Sequence, residues 1–161
     1  MEYYERVLFA IFSHSLEYTF HPQLKSWGIP RNKRLESTQI RQDLTDEWNE
    51  RGIKERKDYA ILTNEIHKAT FDKNIKEHKE FKDLSKRNNL RDNMTTLELI
   101  FSMLGEHATK EITKSKDSTG FGECFDSAQT GGKIAGNARK ELEKQTKQKV
   151  ISKGGEVKRL E

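Results

Sequence analysis

The chain has 161 residues, of which 32% are hydrophobic and 35% are charged. This length supports one domain with a small core and excludes two domains of ordinary size. The formal net charge of +4 permits attraction to nucleic acid, but with 26 acidic residues present the charge alone does not establish DNA binding. The single cysteine, Cys124, excludes a disulfide-stapled secreted domain and predicts a cytoplasmic protein.

The fold class is predicted to be all-α, with about five helices in an elongated domain. Lys, Glu, Arg and Leu are abundant, and both prolines lie near the beginning of the chain. The predicted organisation is an amino-terminal helix and connection over residues 1–32, a helical domain over 33–152, and a frayed, flexible tail over 153–161.

The amino-terminal helix is expected over Glu2–Thr19, and a connection over His21–Asn32. Within the helix, the apolar run Val7–Phe12 is too short to span a membrane. No membrane partner is therefore predicted, and the run is expected to pack or to associate.

Two amphipathic helices follow, each with apolar residues three or four positions apart. The first is predicted over Lys33–Arg51 and ends before Gly52. Its packing residues are Ile40, Leu44 and Trp48. The second either includes Leu62 in the helix or begins at Thr63 as an N-cap. Its packing residues are Tyr59, Leu62, Ile66 and Ala69.

A short basic helix is predicted over Asp72–Leu84. With the helical residues 62–69 it is a candidate helix-turn-helix, in which Thr70–Asp72 would be the turn. The alternative is a simple packing pair, since the turn lacks the glycine often found there. If the pair binds DNA, the residues facing it are Lys73, Lys76 and Lys79.

The clearest helix start is Thr95 followed by Glu98, which is a capping box. We predict a central core helix over Thr96–Thr113, because apolar residues cover a wide stripe of it. The most buried residues of that helix are expected to be Leu97, Phe101 and Leu104.

A loop is predicted over Ser115–Gly122. The last long helix should begin within Glu123–Thr130 and run to about Lys147. One side of this helix is expected to pack, through Ile134, Ala138 and Leu142, and the other side is basic.

The basic side of the last helix is a candidate nucleic-acid surface. Lysine and arginine there would contact phosphates without reading bases, which predicts salt-dependent binding of low sequence selectivity. The alternative is a solvated helix face with pairs such as Lys140 and Glu143. The candidate residues are Lys133, Arg139, Lys140, Lys144 and Lys147.

Gly132 and Gly136 leave a smooth strip on this helix, against which another helix or chain can pack closely. A phosphate-loop interpretation is rejected because Ile134 follows Lys133 where Ser or Thr is needed, so no cofactor is predicted. If the chain mainly mediates protein association, including homo-oligomerisation, the interface residues are expected to be Phe9, Phe12, Gly132 and Gly136.

Catalysis and metal binding have little support in the pattern. The five histidines include no pair with zinc spacing on a helix turn, and Cys124 has no partner for a metal knuckle. We therefore predict no enzyme, no catalytic residues and no metal site.

Several blocks occur in an order that is similar to one protein family. They are Ile40–Trp48, Asp58–Ile66, Lys79–Leu84, Leu90–Leu99 and Gly131–Lys140. Together they resemble the carboxy-terminal region of DNA-damage-inducible protein D and of Bro-type prophage antirepressors, over about residues 25–152. Family members carry an amino-terminal Bro domain, for which too few residues precede Lys25. The chain is thus expected to be a free-standing tail module or a truncated gene product.

The resemblance implies a role in the DNA-damage response or in prophage regulation, by binding rather than by chemistry. The partners it implies are DNA, a RecA-type recombinase or a phage repressor. It assigns no activity to individual residues, because none of the blocks is a catalytic motif.

Overall fold

The computed structural model describes residues 31–153, which form five α-helices and one 3-10 turn at Arg91–Asn93. The helices are α1 (Arg31–Glu50), α2 (Arg56–Phe71), α3 (Ile75–Phe81), α4 (Thr96–Ser115) and α5 (Gly120–Thr146). The predicted all-α class is confirmed. None of the helices in this range is long and apolar enough to cross a bilayer. The predicted helix Glu2–Thr19 and the tail beyond residue 153 lie outside the described residues.

The packing faces of α1 and α2 agree with the predicted ones. Leu44 and Trp48 are fully buried, and they pack with Leu62 and Ile66 of α2 in one core cluster. Gly52 has a φ of +94°, and the chain reverses there with Ile53 N donating to Trp48 O at 2.9 Å. The predicted end of α1 is thus confirmed. Because α2 already begins at Arg56, the alternative start at Thr63 is wrong.

The capping box predicted for α4 is confirmed. Glu98 N donates to Thr95 Oγ1 at 3.2 Å, and Thr95 N donates to Glu98 Oε2 at 2.7 Å. A second capping box, formed by Asn74 and Glu77, begins α3. This cap and the left-handed residue Asp83 limit α3 to seven residues, fewer than predicted.

Small residues let α2, α4 and α5 approach one another closely. Gly105 of α4 lies near Ala135 of α5, while Gly131 of α5 lies against Thr109 of α4, so these two helices are antiparallel. On α2, Ile66 and Ala69 contact the glycine surface of α5. A methyl group at Gly131, Gly132 or Gly136 would collide with backbone atoms, which shows how close the three helices are.

This close packing corrects the burial predicted for α4. Phe101 is buried as predicted, but Leu97 and Leu104 are 37% and 38% exposed. The reason is that α5 packs over the side of α4 that carries Gly105 and Thr109. The side with Leu97 and Leu104 is left facing outward.

The last helix differs from its prediction in both start and orientation. It begins at Gly120, within the predicted loop, because Glu123 Oε2 accepts a hydrogen bond from Thr119 N at 2.7 Å at its start. Ile134 and Ala138 are exposed rather than packed, whereas Leu142 is partly buried against the core as predicted. The buried side instead carries Cys124, Ala128, Gly131, Gly132, Ala135, Gly136, Arg139 and Glu143.

Candidate functional site

A basic cleft of about 390 Å³ opens between α1, α2, α3 and the segment before α4. Among the described residues that line it, four are cationic and none is acidic. Asn88, Asn89 and Ser102 add further polar groups, and three side chains form an apolar part of the wall. The cations are Arg41, Lys79, Arg87 and Arg91, and the apolar residues are Ile75, Leu90 and Met94.

The inner part of the cleft is built on a buried carboxylate. Glu106 Oε1 lies 3.0 Å from Arg41 Nη2 and also accepts a hydrogen bond from Arg91 Nη2. The Glu106 side chain is 3% exposed, whereas those of Arg41 and Arg91 are 27% and 23% exposed. Arg91 also donates to the carbonyl of Ser37 at 3.1 Å. The two guanidiniums are therefore held side by side and still reach the cleft.

The outer part of the cleft comes from α3 and from the loop that follows it. Lys79 is half-buried and donates to the carbonyl of Lys86 at 3.1 Å, while Arg87 is exposed. Asn89 Oδ1 accepts from Arg91 N at 3.0 Å, which fixes the loop beside the 3-10 turn. Four cations thus surround the cleft, and Glu106 behind them neutralises one of the four charges.

The wall of the cleft includes a neutral histidine. His67 Nε2 lies 3.0 Å from His78 Nδ1, and both imidazoles are buried. Burial, with His78 and the guanidiniums of Arg41 and Arg91, lowers the pKa of His67 from 6.5 to about 3. His67 therefore adds hydrogen-bonding capacity at neutral pH without adding charge.

Behind His78 lies a buried ion pair that anchors the carboxy-terminal end of the domain. Lys82 Nζ is 2.9 Å from Glu98 Oε2 and donates to Ser152 O at 2.8 Å, while Ser152 N donates to Glu98 Oε1 at 3.1 Å. Burial opposes ionisation of Glu98, but His78 and Lys82 outweigh it and lower its pKa. This buried ion pair and its hydrogen bonds to Ser152 therefore hold the wall of the cleft against the segment that follows α5.

This arrangement is suited to holding an anion. Guanidinium groups match phosphate and carboxylate oxygens with paired donors, and a partly buried cleft strengthens such contacts. Within residues 31–153, no group of three or more His, Cys, Asp or Glu is placed to hold a metal ion. The chemistry that the cleft offers is the binding and orientation of a negatively charged ligand.

The predicted basic side of α5 is only partly available. Lys133, Lys140, Lys144 and Lys147 are exposed, and the first two line a groove with Lys68 of α2. That groove also contains Glu65 and Asp72, and Asp72 Oδ1 accepts from Lys140 Nζ at 2.9 Å. Its charge is therefore more balanced than that of the cleft.

Arg139 does not belong to this exposed side, so its predicted contact with DNA is wrong. Its side chain is buried and donates to Thr70 O at 2.8 Å and to Glu143 Oε2 at 2.8 Å. It also donates to Asp72 Oδ2 at 2.5 Å. Arg139 instead joins α5 to the end of α2.

Of the helix-turn-helix candidates, only Lys79 lies at the cleft. The turn between α2 and α3 is Asp72–Asn74, with Asp72 in the left-handed conformation. Lys73 Nζ lies 5.5 Å from the ring centroid of Phe81, and Lys76 Nζ lies 3.8 Å from Glu80 Oε1. Lys73 and Lys76 therefore do not line the cleft with Lys79.

Gly132 and Gly136 are occupied by the chain itself, which corrects their assignment to an interface with a partner. A Cβ atom at Gly132 would lie 2.7 Å from Ile66 O, and one at Gly136 would meet Ala69 O. The expected close packing is present, but the neighbour is α2. Phe9 and Phe12 lie outside the described residues.

The sequence pattern does not mark Arg41, His67, Arg87 or Ser102 as site residues. Arg91 fixes the segment before α4 through its contacts with Ser37 and Glu106. One local pattern could have indicated a polar site: Arg87 and Arg91 lie on either side of two asparagines, just before the capped helix α4. Arg41 gives no such signal, because its neighbours in the cleft are distant in sequence.

Comparison with known proteins does not establish the family of this chain. A scan against protein-family models gives no match, and a search of curated proteins finds no match either. The similarity to DNA-damage-inducible protein D and Bro-type antirepressors therefore remains a prediction, based on the sequence blocks between Ile40 and Lys140.

Proposed function

We propose that this chain is a non-enzymatic module that binds the phosphate groups of nucleic acid, in a DNA-damage-response or prophage antirepressor-like protein. The observation that carries the proposal is the cleft in which Arg41 and Arg91 share Glu106 and face the same space as Arg87 and Lys79. A cytoplasmic location is part of the proposal, because a single buried thiol, Cys124, suits a reducing compartment.

The physical reason for choosing phosphate is charge density and geometry. Arginine donates paired hydrogen bonds that fit phosphate oxygens, and here two arginines are already oriented before a ligand arrives. Contacts of this kind position a protein on a nucleic-acid backbone and do not distinguish bases. Binding is therefore expected to weaken steeply with salt and to depend little on sequence.

The exposed lysines of α5 form a separate surface. His67 lines the cleft, while Glu65 and Ala69 line the groove beside α5, so the two open on different sides of α2. Lys144 and Lys147 are expected to add general attraction to a polyanion. The cleft is expected to supply the direct contact with a phosphate group.

Fluorescence anisotropy with single- and double-stranded DNA over a salt series tests this function. The cleft variant is Arg87→Glu, chosen because Arg87 is exposed and its replacement should leave the fold intact. Its control is Lys116→Glu, which makes the same charge change at an exposed site just after α4. The triple variant Lys140→Glu, Lys144→Glu, Lys147→Glu measures the contribution of α5.

We expect Arg87→Glu to weaken binding by about tenfold or more and Lys116→Glu to weaken it much less. Absence of binding at low salt would overturn the proposal. Equal losses in Arg87→Glu and Lys116→Glu would also overturn it, because the cleft would then act only through net charge.

Protein association is the second candidate function, and an exposed apolar stripe on α4 favours it. Leu97, Ile100 and Leu104 are all more than a third exposed on one side of that helix. The partner in this case would be a second copy of the chain, a RecA-type recombinase or a phage repressor.

Light scattering at increasing concentration tests self-association. The wild type is compared with Ile100→Lys, and Ile61→Lys is the control at an exposed position on α2. A stable monomer at all concentrations would contradict homo-oligomerisation.

A further inference from the structure

We infer that the cleft takes the terminal phosphate of a nucleic-acid strand, a phosphomonoester, in preference to the internal phosphodiesters of the same strand. This inference rests on the proposed function and specifies the group that enters the site. It follows from the size of the cleft, from the number of donors in it and from the chemistry of its walls.

The size of the cleft limits what can enter. A volume of about 390 Å³ is near the lower end of the range of small-molecule pockets. Such a space accommodates about one nucleotide and cannot admit the continuous rod of a duplex. The part of a nucleic acid that fits is therefore a strand end, or a single residue turned out of the strand.

The charge of the cleft favours the strand end over the turned-out residue. A phosphomonoester carries a charge of about −1.5 to −2 at neutral pH and has three terminal oxygens. A diester within a strand carries one negative charge and two such oxygens. Four cations face the cleft, and Glu106 neutralises only one of them. The site thus offers more positive charge than a single diester can neutralise.

The donors are arranged at different depths. Arg41 and Arg91 lie inside, partly buried and fixed by Glu106. Arg87 is exposed at the outside, where it can close on a group that has already entered. A terminal phosphate can present its three oxygens to both sets of donors, because only one of its oxygens continues into the strand.

The remaining wall suits the sugar and base attached to such a phosphate. Leu90, Met94 and Ile75 provide an apolar surface, and Ser102 adds a hydroxyl group. His67 is neutral, so it can donate or accept a hydrogen bond without a change in charge. A site lined only by cations would hold a free phosphate equally well.

The experiment compares short single-stranded oligonucleotides of one sequence that differ only at their ends. One carries a 5′-phosphate, one a 3′-phosphate and one hydroxyl groups at both ends, each with an internal fluorophore for anisotropy. Inorganic phosphate and a nucleoside monophosphate are then used as competitors. The variants are Arg87→Ala and the control Lys116→Ala, both at exposed positions.

We expect one of the two phosphorylated strands to bind about tenfold tighter than the strand with hydroxyl groups at both ends. The strand that binds tighter identifies whether the 5′ or the 3′ end is recognised. That preference should be lost in Arg87→Ala and kept in Lys116→Ala. The nucleoside monophosphate should compete better than inorganic phosphate.

Equal binding of all three strands would overturn this inference and leave the proposed nucleic-acid binding intact. Absence of binding by every strand would overturn both. A preference for a phosphorylated end that survives in Arg87→Ala would overturn the assignment of the terminal phosphate to this cleft.

Discussion

The guanidinium of Arg41 on α1 lies 3.0 Å from the buried carboxylate of Glu106 on α4. The same carboxylate oxygen accepts a hydrogen bond from Arg91. A second pair, Asp43 with Lys110 at 3.0 Å, follows in the same order along the two helices. These contacts show that α1 and α4 run in the same direction, and they make Glu106 the group on which the inner cleft depends.

Glu106→Gln tests that dependence. The substitution keeps the shape of the side chain but leaves Arg41 and Arg91 without their carboxylate. Removing one partner of a buried ion pair costs about 3–5 kcal/mol, and the partial exposure of both arginines reduces the expected loss to about 2–3 kcal/mol. Urea unfolding measures it, with the exposed Glu111→Gln on the same helix as control. A loss below 0.5 kcal/mol would show that the carboxylate does not support the pair.

Gly136 tests the close packing of α5 on α2. In Gly136→Ala the added methyl group would meet the carbonyl of Ala69, which cannot move without shifting α2. Overpacking of this kind costs about 1–3 kcal/mol, even though alanine is the better helix former. Gly122→Ala is the matched control, because nothing lies within 4 Å of its added methyl group.

The control should gain stability, by about 0.5–1 kcal/mol, since alanine replaces glycine in an open part of the same helix. Thermal unfolding of the two variants therefore gives shifts of opposite sign. A rise in melting temperature for Gly136→Ala as well would mean that the α2–α5 contact is looser than described.

The helices could be predicted from the sequence because their signals are local. The spacing of Leu44 and Trp48 and the cap formed by Thr95 and Glu98 each depend on residues within one turn or two. The orientation of α5 could not be predicted in this way. Hydropathy assigns Ile134 to the core, yet the helix packs through its glycines, where the absence of a side chain permits contact.

The cleft could not be predicted for a different reason. Its donors come from α1, from α3 and from the segment before α4, and they meet only because α1 packs beside α4. Pairing of Arg41 with Glu106 is a tertiary contact without a local pattern. The same applies to Arg139, which looks like any other basic residue of α5 in the sequence and is buried by Thr70 and Asp72.

Arg139→Lys separates a structural arginine from a nucleic-acid contact. Lysine keeps the charge but cannot donate at once to Thr70 O, Glu143 and Asp72, so we expect a loss of about 1–3 kcal/mol in urea unfolding. Lys140→Ala, at an exposed ion pair with the same Asp72, should cost less than about 1 kcal/mol. Equal stabilities of the two variants would contradict the buried role of Arg139. DNA affinity of the folded Arg139→Lys protein should stay unchanged.

His67 should make the domain sensitive to mild acid. Its pKa is about 3 in the folded protein and 6.5 in an unfolded chain, so below pH 6.5 the unfolded state takes up a proton that the folded state does not. Above pH 6.5 both states are unprotonated at His67 and no stability is lost there. The free energy of unfolding then decreases as the pH falls from 6.5 towards 3. At about 1.4 kcal/mol per pH unit, the loss between pH 7 and pH 4 is about 3 kcal/mol.

Unfolding free energies in urea at pH 7 and pH 4 measure this effect in the wild type and in His67→Gln. The variant should lose about 3 kcal/mol less than the wild type over that interval, while the exposed His107→Gln should behave as the wild type does. Glu98 also contributes to acid sensitivity. Its lowered pKa means that stability is lost as the carboxylate protonates below its ordinary range. Because glutamine at position 67 can still hydrogen-bond to His78, which contacts Glu98, this loss is expected in all three proteins. The difference between His67→Gln and the wild type therefore isolates the imidazole, and identical pH profiles would show that His67 is charged when folded.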